Sequence, residues 1–246
     1  MSWPSRLLSL SLVFVALTVP AGAQKVTKQL IQSAGEIRTY YRFIPETGAD
    51  VPLVVLLHGS GRDGTTLIQP WQSLARKEGF ALAAPDSIAR ESWSIAKDGP
   101  EFLRDVVEAV RAEAKIDGRR MYLFGHSAGG HHGLDLALLE SEYFAAAAVH
   151  AGALTQNREL ITAQAERKIP IAMWNGTNDR IVPVDAVRQS RDFLVGRGFD
   201  VKLTEMPRHT HDYYGRSAEI NQAAWGFLKA HRLGADPKYK PYIIGK

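Results

Sequence analysis

The residues best suited to chemistry stand in Tyr122-Leu123-Phe124-Gly125-His126-Ser127-Ala128-Gly129-Gly130. An apolar stretch runs through Gly125-x-Ser127-x-Gly129 into a helix-forming stretch. A serine hydroxyl attacks a carbonyl carbon once a base removes its proton and donors hold the resulting oxyanion. A sharp strand-to-helix turn lifts that hydroxyl clear of the sheet, and bulk two residues to either side would crowd it, so glycine belongs there. The helix that follows points its N-terminus at the site, where it favours developing negative charge. Ser127 is the candidate nucleophile.

An acid and a histidine complete such a site, each placed after a later strand. The apolar run 169–174 leads into Asn175-Gly176-Thr177-Asn178-Asp179, which puts Asp179 at the carboxyl end of a strand, where catalytic groups collect in open α/β sheets. Asp185 is the alternative acid, but it falls inside the helix expected from Pro183. The run 201–206 precedes Pro207-Arg208-His209-Thr210-His211-Asp212-Tyr213, so the base is His209 or His211. Oxyanion donors are expected from the backbone N–H of Ala128 and from the loop His58-Gly59-Ser60-Gly61, with Ser60 first and Gly59 or Gly61 as alternatives. Trp93, in the loop after Pro85-Asp86, and His150, at a strand end, are the candidate substrate-binding residues. His131, His132 and Asp135 lack a further ligand group at matching spacing, so no metal is expected. Asn175-Gly176-Thr177 fits a glycosylation sequon but abuts the candidate acid, and we treat the match as chance.

The elements that must position these residues alternate. A hairpin is expected over 26–44, then strands over 53–57, 80–84, 121–124, 144–149, 169–174 and 201–206. Helices are expected over 67–78, 101–115, 128–139, 157–167, 183–195 and 217–230. Strand–helix alternation of this kind means a mostly parallel sheet with helices on both faces. The tail 233–246 reads as irregular.

The 246 residues carry a net charge of +4 and no cysteine, which excludes disulfides and thiolate chemistry. Lys and Arg never run beyond two in a row, so a nucleic-acid-binding stripe is not expected. At the N-terminus, Arg6 precedes an apolar run over 7–19, then Pro20 and Ala21-Gly22-Ala23. This reads as a secretory signal peptide over 1–23, cut after Ala23, leaving one domain over 24–246 in the periplasm or outside the cell. The run is short for a bilayer span, so a stable membrane association is not expected.

The segments Leu57-His58-Gly59-Ser60-Gly61, Gly125-His126-Ser127-Ala128-Gly129-Gly130, Gly176-Thr177-Asn178-Asp179 with Val182-Pro183, and His211-Asp212-Tyr213 together resemble the polyhydroxybutyrate depolymerase and feruloyl esterase branch of the α/β-hydrolases. The resemblance spans roughly residues 27–232. It implies the α/β-hydrolase fold and ester hydrolysis through an acyl-enzyme with no metal or organic cofactor. It also implies His211 as the base, because Tyr213, Trp225 and Phe227-Leu228 follow as they do in that group. Secreted depolymerases commonly carry an added polymer-binding domain, for which 246 residues are not expected to leave room, so short-chain, hydroxyalkanoate-oligomer or feruloyl-type esters are the expected substrates. Acyl transfer to a sugar or alcohol is the alternative reaction, and a non-catalytic binding protein on the same scaffold is the alternative class. A histidine base must be neutral, so activity is expected to fall on acidification around the ordinary histidine range, about 6.5.

Overall fold

Strands β1 (Thr27–Ser33) and β2 (Glu36–Phe43) pair as the expected hairpin. Its turn residues Ala34 and Gly35 hold φ of 46° and 81°, the left-handed pair whose twist matches that of paired strands. The computed structural model describes residues 25–47 and 49–242, so the expected leader at 1–23 lies outside the described residues. β3 (Val51–Leu57) is buried at every position, as an unbroken apolar run demands.

The chain continues through α1 (Gly64–Glu78), β4 (Ala81–Pro85), α2 (Ile95–Asp98), α3 (Pro100–Arg111), β5 (Ile116–His126) and α4 (Ala128–Leu139). It then forms β6 (Ala146–His150), α5 (Arg158–Thr162), β7 (Ile171–Gly176), α6 (Val184–Val195), β8 (Val201–Met206) and, after one 3-10 turn, α7 (Ser217–Leu228). The strands make one sheet in the order β1-β2-β4-β3-β5-β6-β7-β8. β2 runs antiparallel to β4, and every pairing from β4 through β8 is parallel. This is the α/β-hydrolase architecture.

Residues 53 to 57 alternate between two cores, as side chains on a strand must. Val54 and Leu56 meet Leu67, Ile68 and Trp71 of α1 and Trp225 and Leu228 of α7. Leu53, Val55 and Leu57 face Phe102 and Val106 of α3, Leu134 of α4 and Val187 of α6. The strands that end at the site are therefore sandwiched and rigid, while their carboxyl ends open into loops.

Three expectations are corrected. β5 begins at Ile116, five residues early, because Ile116 pairs with Val51 before the register shifts to Leu53 and Met121; residues 116–120 are only partly buried and carry no apolar period. The helix before it accordingly stops at Arg111. Only Arg158–Thr162 of the helix expected over 157–167 forms, and four-residue α2, too short for any periodicity, was not foreseen. The tail is irregular as expected through residue 242 and packs back, with Leu233 N–H donating to the Arg119 carbonyl and Lys238 N–H to that of Glu142.

Candidate active site

β5 delivers Ser127 onto a tight turn. Its backbone holds φ 55° and ψ −119°, a conformation that costs a non-glycine residue about 1–3 kcal/mol. The Ser127 N–H donates to the His150 carbonyl, and the Ser127 carbonyl accepts from Gly130 and His131. The neighbouring glycines are required by contact. A Cβ on Gly125 would lie 2.1 Å from the Gly129 carbonyl oxygen, and one on Gly129 would lie 2.0 Å from that of Leu57. Gly133, one turn on, would meet only side-chain carbon at 3.4 Å. We expect Gly129→Ala to destabilise the fold by about 3 kcal/mol or more, whereas Gly133→Ala should be neutral or stabilising by up to about 1 kcal/mol from helix propensity. Urea melts of the two variants check this contrast.

His211 joins the serine to the acid. Its Nε2 lies 2.8 Å from Ser127 Oγ and its Nδ1 lies 2.8 Å from Asp179 Oδ2. An ionised carboxylate only accepts, so Nδ1 carries the proton and Nε2 presents its lone pair to the hydroxyl. The other oxygen of Asp179 accepts the backbone N–H groups of Ile181 and Val182, each at 2.9 Å. The Asp179 side chain is fully buried (0%), while His211 keeps 18% exposure. Two loops place the pair. Thr177 Oγ1 accepts from Arg208 N–H, and Asn178 N–H donates to the His209 carbonyl, which stitches the end of β7 to the loop after β8. The expected trio thus meets. Asp185 sits in α6, paired with Arg188 on the surface.

The loop after β3 is braced from behind. His58 Nε2 accepts the Ser87 N–H at 3.1 Å, so its Nδ1–H donates to the Gly59 carbonyl at 2.9 Å. Arg62 N–H donates to the same carbonyl. A trans peptide points its N–H away from its C=O, so the Ser60 N–H faces away from His58. Gly59 packs close to the nucleophile, where a Cβ would lie 3.4 Å from that of Ser127. The Ala128 N–H is the first of the α4 turn, where helix donors lack internal partners. Buried Asp98 anchors the bracing segment: it takes Arg38 at 2.5 Å and the N–H groups of Ile88 and Ser94.

Trp93 and His150 are not where the sequence suggested. Trp93 does not line the cleft over Ser127; its ring stacks on His132 and its Nε1–H donates to the His58 carbonyl at 2.8 Å. His150 is fully buried, bonded on one ring nitrogen to His126 and on the other to His209. His209, the rejected base, belongs to this interior line. Neither the His126 contact nor the bracing role of His58 was foreseen, because both depend on partners from distant strands. Asn175 is buried and donates to the carbonyls of Gly176 and Val182, so the sequon is closed to modification. His131, His132 and Asp135 engage Ala153, Asp98 and Thr155 separately.

Two clefts meet at His211 and Asp212. One, of about 290 Å³, lies over Ser127 between Gly59, Ser60, Arg62, His126 and Tyr214. The other, of about 730 Å³, runs along Thr177 to Ile181 and Thr210. The smaller cleft is lined mainly by polar surface and the larger by more apolar surface, with Ile181 as an exposed apolar side chain, and Arg62 lies over the Tyr214 ring. No helix among the described residues is long and apolar enough to cross a membrane.

A family model described as Phospholipase/Carboxylesterase matches residues 87–231, more than half of the chain. Over 136 residues the chain is 29% identical to the bifunctional acetylxylan esterase/xylanase XynS20E of Neocallimastix patriciarum, a match covering 53% of this chain and 20% of that protein. The chain spans only 20% and 53% of the curated relatives it matches. Among solved structures it is similar to a thermostable esterase (TM-score 0.68, 24% identity, 85% of this chain and 64% of that one). It is also similar to a ferulic acid esterase (TM-score 0.67, 14% identity, 84% and 98%). At these identities the two structures share the fold.

Proposed function

The chain belongs to the phospholipase/carboxylesterase family of α/β-hydrolases, and on that premise we propose that it is an exported serine esterase that cleaves short-chain carboxylic esters through an acyl-enzyme. The observation that carries this is the unbroken line from Asp179 through His211 to Ser127, two contacts of 2.8 Å.

Ser127 Oγ attacks the acyl carbon as its proton passes to His211 Nε2. The ester C–O bond breaks, and the leaving alkoxide takes that proton. Water then adds to the acyl-enzyme, gives a proton to His211, and Ser127 recovers it as the acid leaves. Asp179 holds the tautomer and stabilises the imidazolium. The N–H groups of Ser60 and Ala128 are the oxyanion donors, one braced by His58 and the other at the head of α4.

The small cleft over Ser127 and its polar rim favour a short acyl group on a polar alcohol. The acetylxylan esterase relative supports acetyl esters first. Hydroxyalkanoate-oligomer and feruloyl-type esters follow by resemblance. Export rests on the leader pattern at 1–23, with cleavage after Ala23 and a periplasmic or extracellular destination.

A p-nitrophenyl ester series from acetyl to decanoyl, with feruloyl alongside, tests the reading on protein beginning at Gln24. We expect kcat/KM to be highest for the shortest chains and to fall at least about tenfold by decanoyl. Absence of hydrolysis of every ester by folded protein would refute it. The intact mass of exported protein checks the cleavage site.

A further inference from the structure

Three imidazoles run inward from the nucleophile turn. His126 Nδ1 lies 3.0 Å from His150 Nδ1, and His150 Nε2 lies 3.1 Å from His209 Nε2. The first two residues are cross-strand partners on β5 and β6, and the third comes from the loop after β8. His150 spends both ring nitrogens on its neighbours. As a neutral ring it has one N–H, so it donates at one end and accepts at the other. The chain therefore has a direction, and each ring's tautomer fixes the next.

The end of this chain touches the reaction. His126 immediately precedes Ser127 and lines the cleft over it. Its ring centroid lies 5.2 Å from that of His211, and its other face stacks on buried Tyr213 at 5.1 Å. A turn of the His126 ring would press on the base and disturb the space beside Gly59, where an added Cβ would lie 3.2 Å from His126 Cδ2. Resting on the triad reading above, we propose that His150 is a positioning residue: by bonding His126 and His209 on its two ring nitrogens it fixes the His126 ring between the base and the oxyanion loop.

The surroundings keep this line uncharged, as it must be when His211 becomes positive. Burial, then the neighbouring imidazoles, hold His150 down to about 2; burial, then His211, hold His126 down to about 3. Arg216 repels charge at His150 and His209, while Asp179 and Asp212 pull the other way at His126 and His209, with Glu219 also facing His209.

The test compares His150→Leu, His150→Asn and Ser127→Ala in the full chain. It measures kcat and KM on p-nitrophenyl acetate together with the low-field proton signals of hydrogen-bonded imidazole N–H groups. Leucine should lower kcat by on the order of 10- to 100-fold with KM nearly unchanged, the signature of misplacement rather than lost binding. The chain's N–H signals should vanish while that of His211 persists. Asparagine, whose amide reaches the Nδ1 position, keeps the bond to His126 and should restore most of the rate. A folded leucine variant with wild-type kcat overturns the proposal. So does an equal loss in both variants with an equal fall in Tm, the mark of packing alone. If leucine prevents folding, the asparagine variant decides: near wild-type kcat with the His126 signal kept supports the proposal, and a rate loss with that signal kept overturns it. Undiminished activity in Ser127→Ala would instead fell the triad reading itself.

Discussion

Ser127→Ala lowers kcat on p-nitrophenyl acetate by on the order of 10⁴- to 10⁶-fold, and Asp179→Asn by about 10⁴-fold. Ser127 is the hydroxyl held against the His211 ring, so on the proposed reading its loss leaves what oxyanion donors and binding supply alone. The aspartate acts through His211. Its Oδ2 holds the Nδ1–H at 2.8 Å while Ile181 and Val182 fix its Oδ1. An amide turned to satisfy those two backbone donors presents N–H to His211, which reverses the tautomer and directs Nε2–H at the serine. KM should change little in both variants, and circular dichroism should match the wild type. Retention of more than about 1% of kcat in Ser127→Ala would remove Ser127 as nucleophile.

Asp135→Asn raises stability at alkaline pH by on the order of 2–4 kcal/mol and hardly alters it near pH 4. Asp135 is buried in α4 with Oδ1 unpartnered and only the Thr155 hydroxyl on Oδ2. Burial raises its pKa to about 7. The unfolded chain gives up that proton near 4, the folded chain not until about 7. Stability is therefore lost as pH rises across that window and stays low above it. Asparagine has the shape of the protonated acid and cannot ionise, so the gap between variant and wild type opens over the same window. His126, His132 and His150, held at about 3, 4 and 2, work in the opposite sense. They cost stability as pH falls below about 6.5, where the unfolded chain takes up protons that the folded chain refuses. The wild type should thus be most stable in weakly acidic solution. Thermal melts from pH 4 to pH 9 measure both limbs, and a pH-independent gap would refute the assignment of Asp135.

Ser127 and Asp179 were legible because each follows within a few residues of an apolar run, and a strand buried on both faces puts its polar groups in the loop beyond its end. The base was not legible from spacing. His209 and His211 share one loop, and only resemblance favoured the second. The backbone separates them: Arg208 takes φ 58°, and the neighbouring His209 ring lies inside against His150. His150 was misread for a related reason. Its position at a strand end suggested a pocket wall, but its partner is set by the cross-strand register with His126, which no single-segment pattern contains. Trp93 gave no periodic signal at all, being in a loop whose course depends on Asp98. The mostly parallel sheet and both helix layers followed from alternation, whereas the strand order and the early start of β5 did not, since residues 116–120 carry no apolar run.

The buried Asp98 hub also bears on when the molecule becomes competent. Its partner Arg38 lies 60 residues earlier in the chain, and closing so long a segment costs conformational entropy that local contacts cannot repay. The brace behind the Gly59–Ser60 peptide therefore closes only after β2 and the segment following β4 have both found the sheet. Turnover should therefore return in a refolding chain no earlier than these long-range pairings, whatever helix has formed before them.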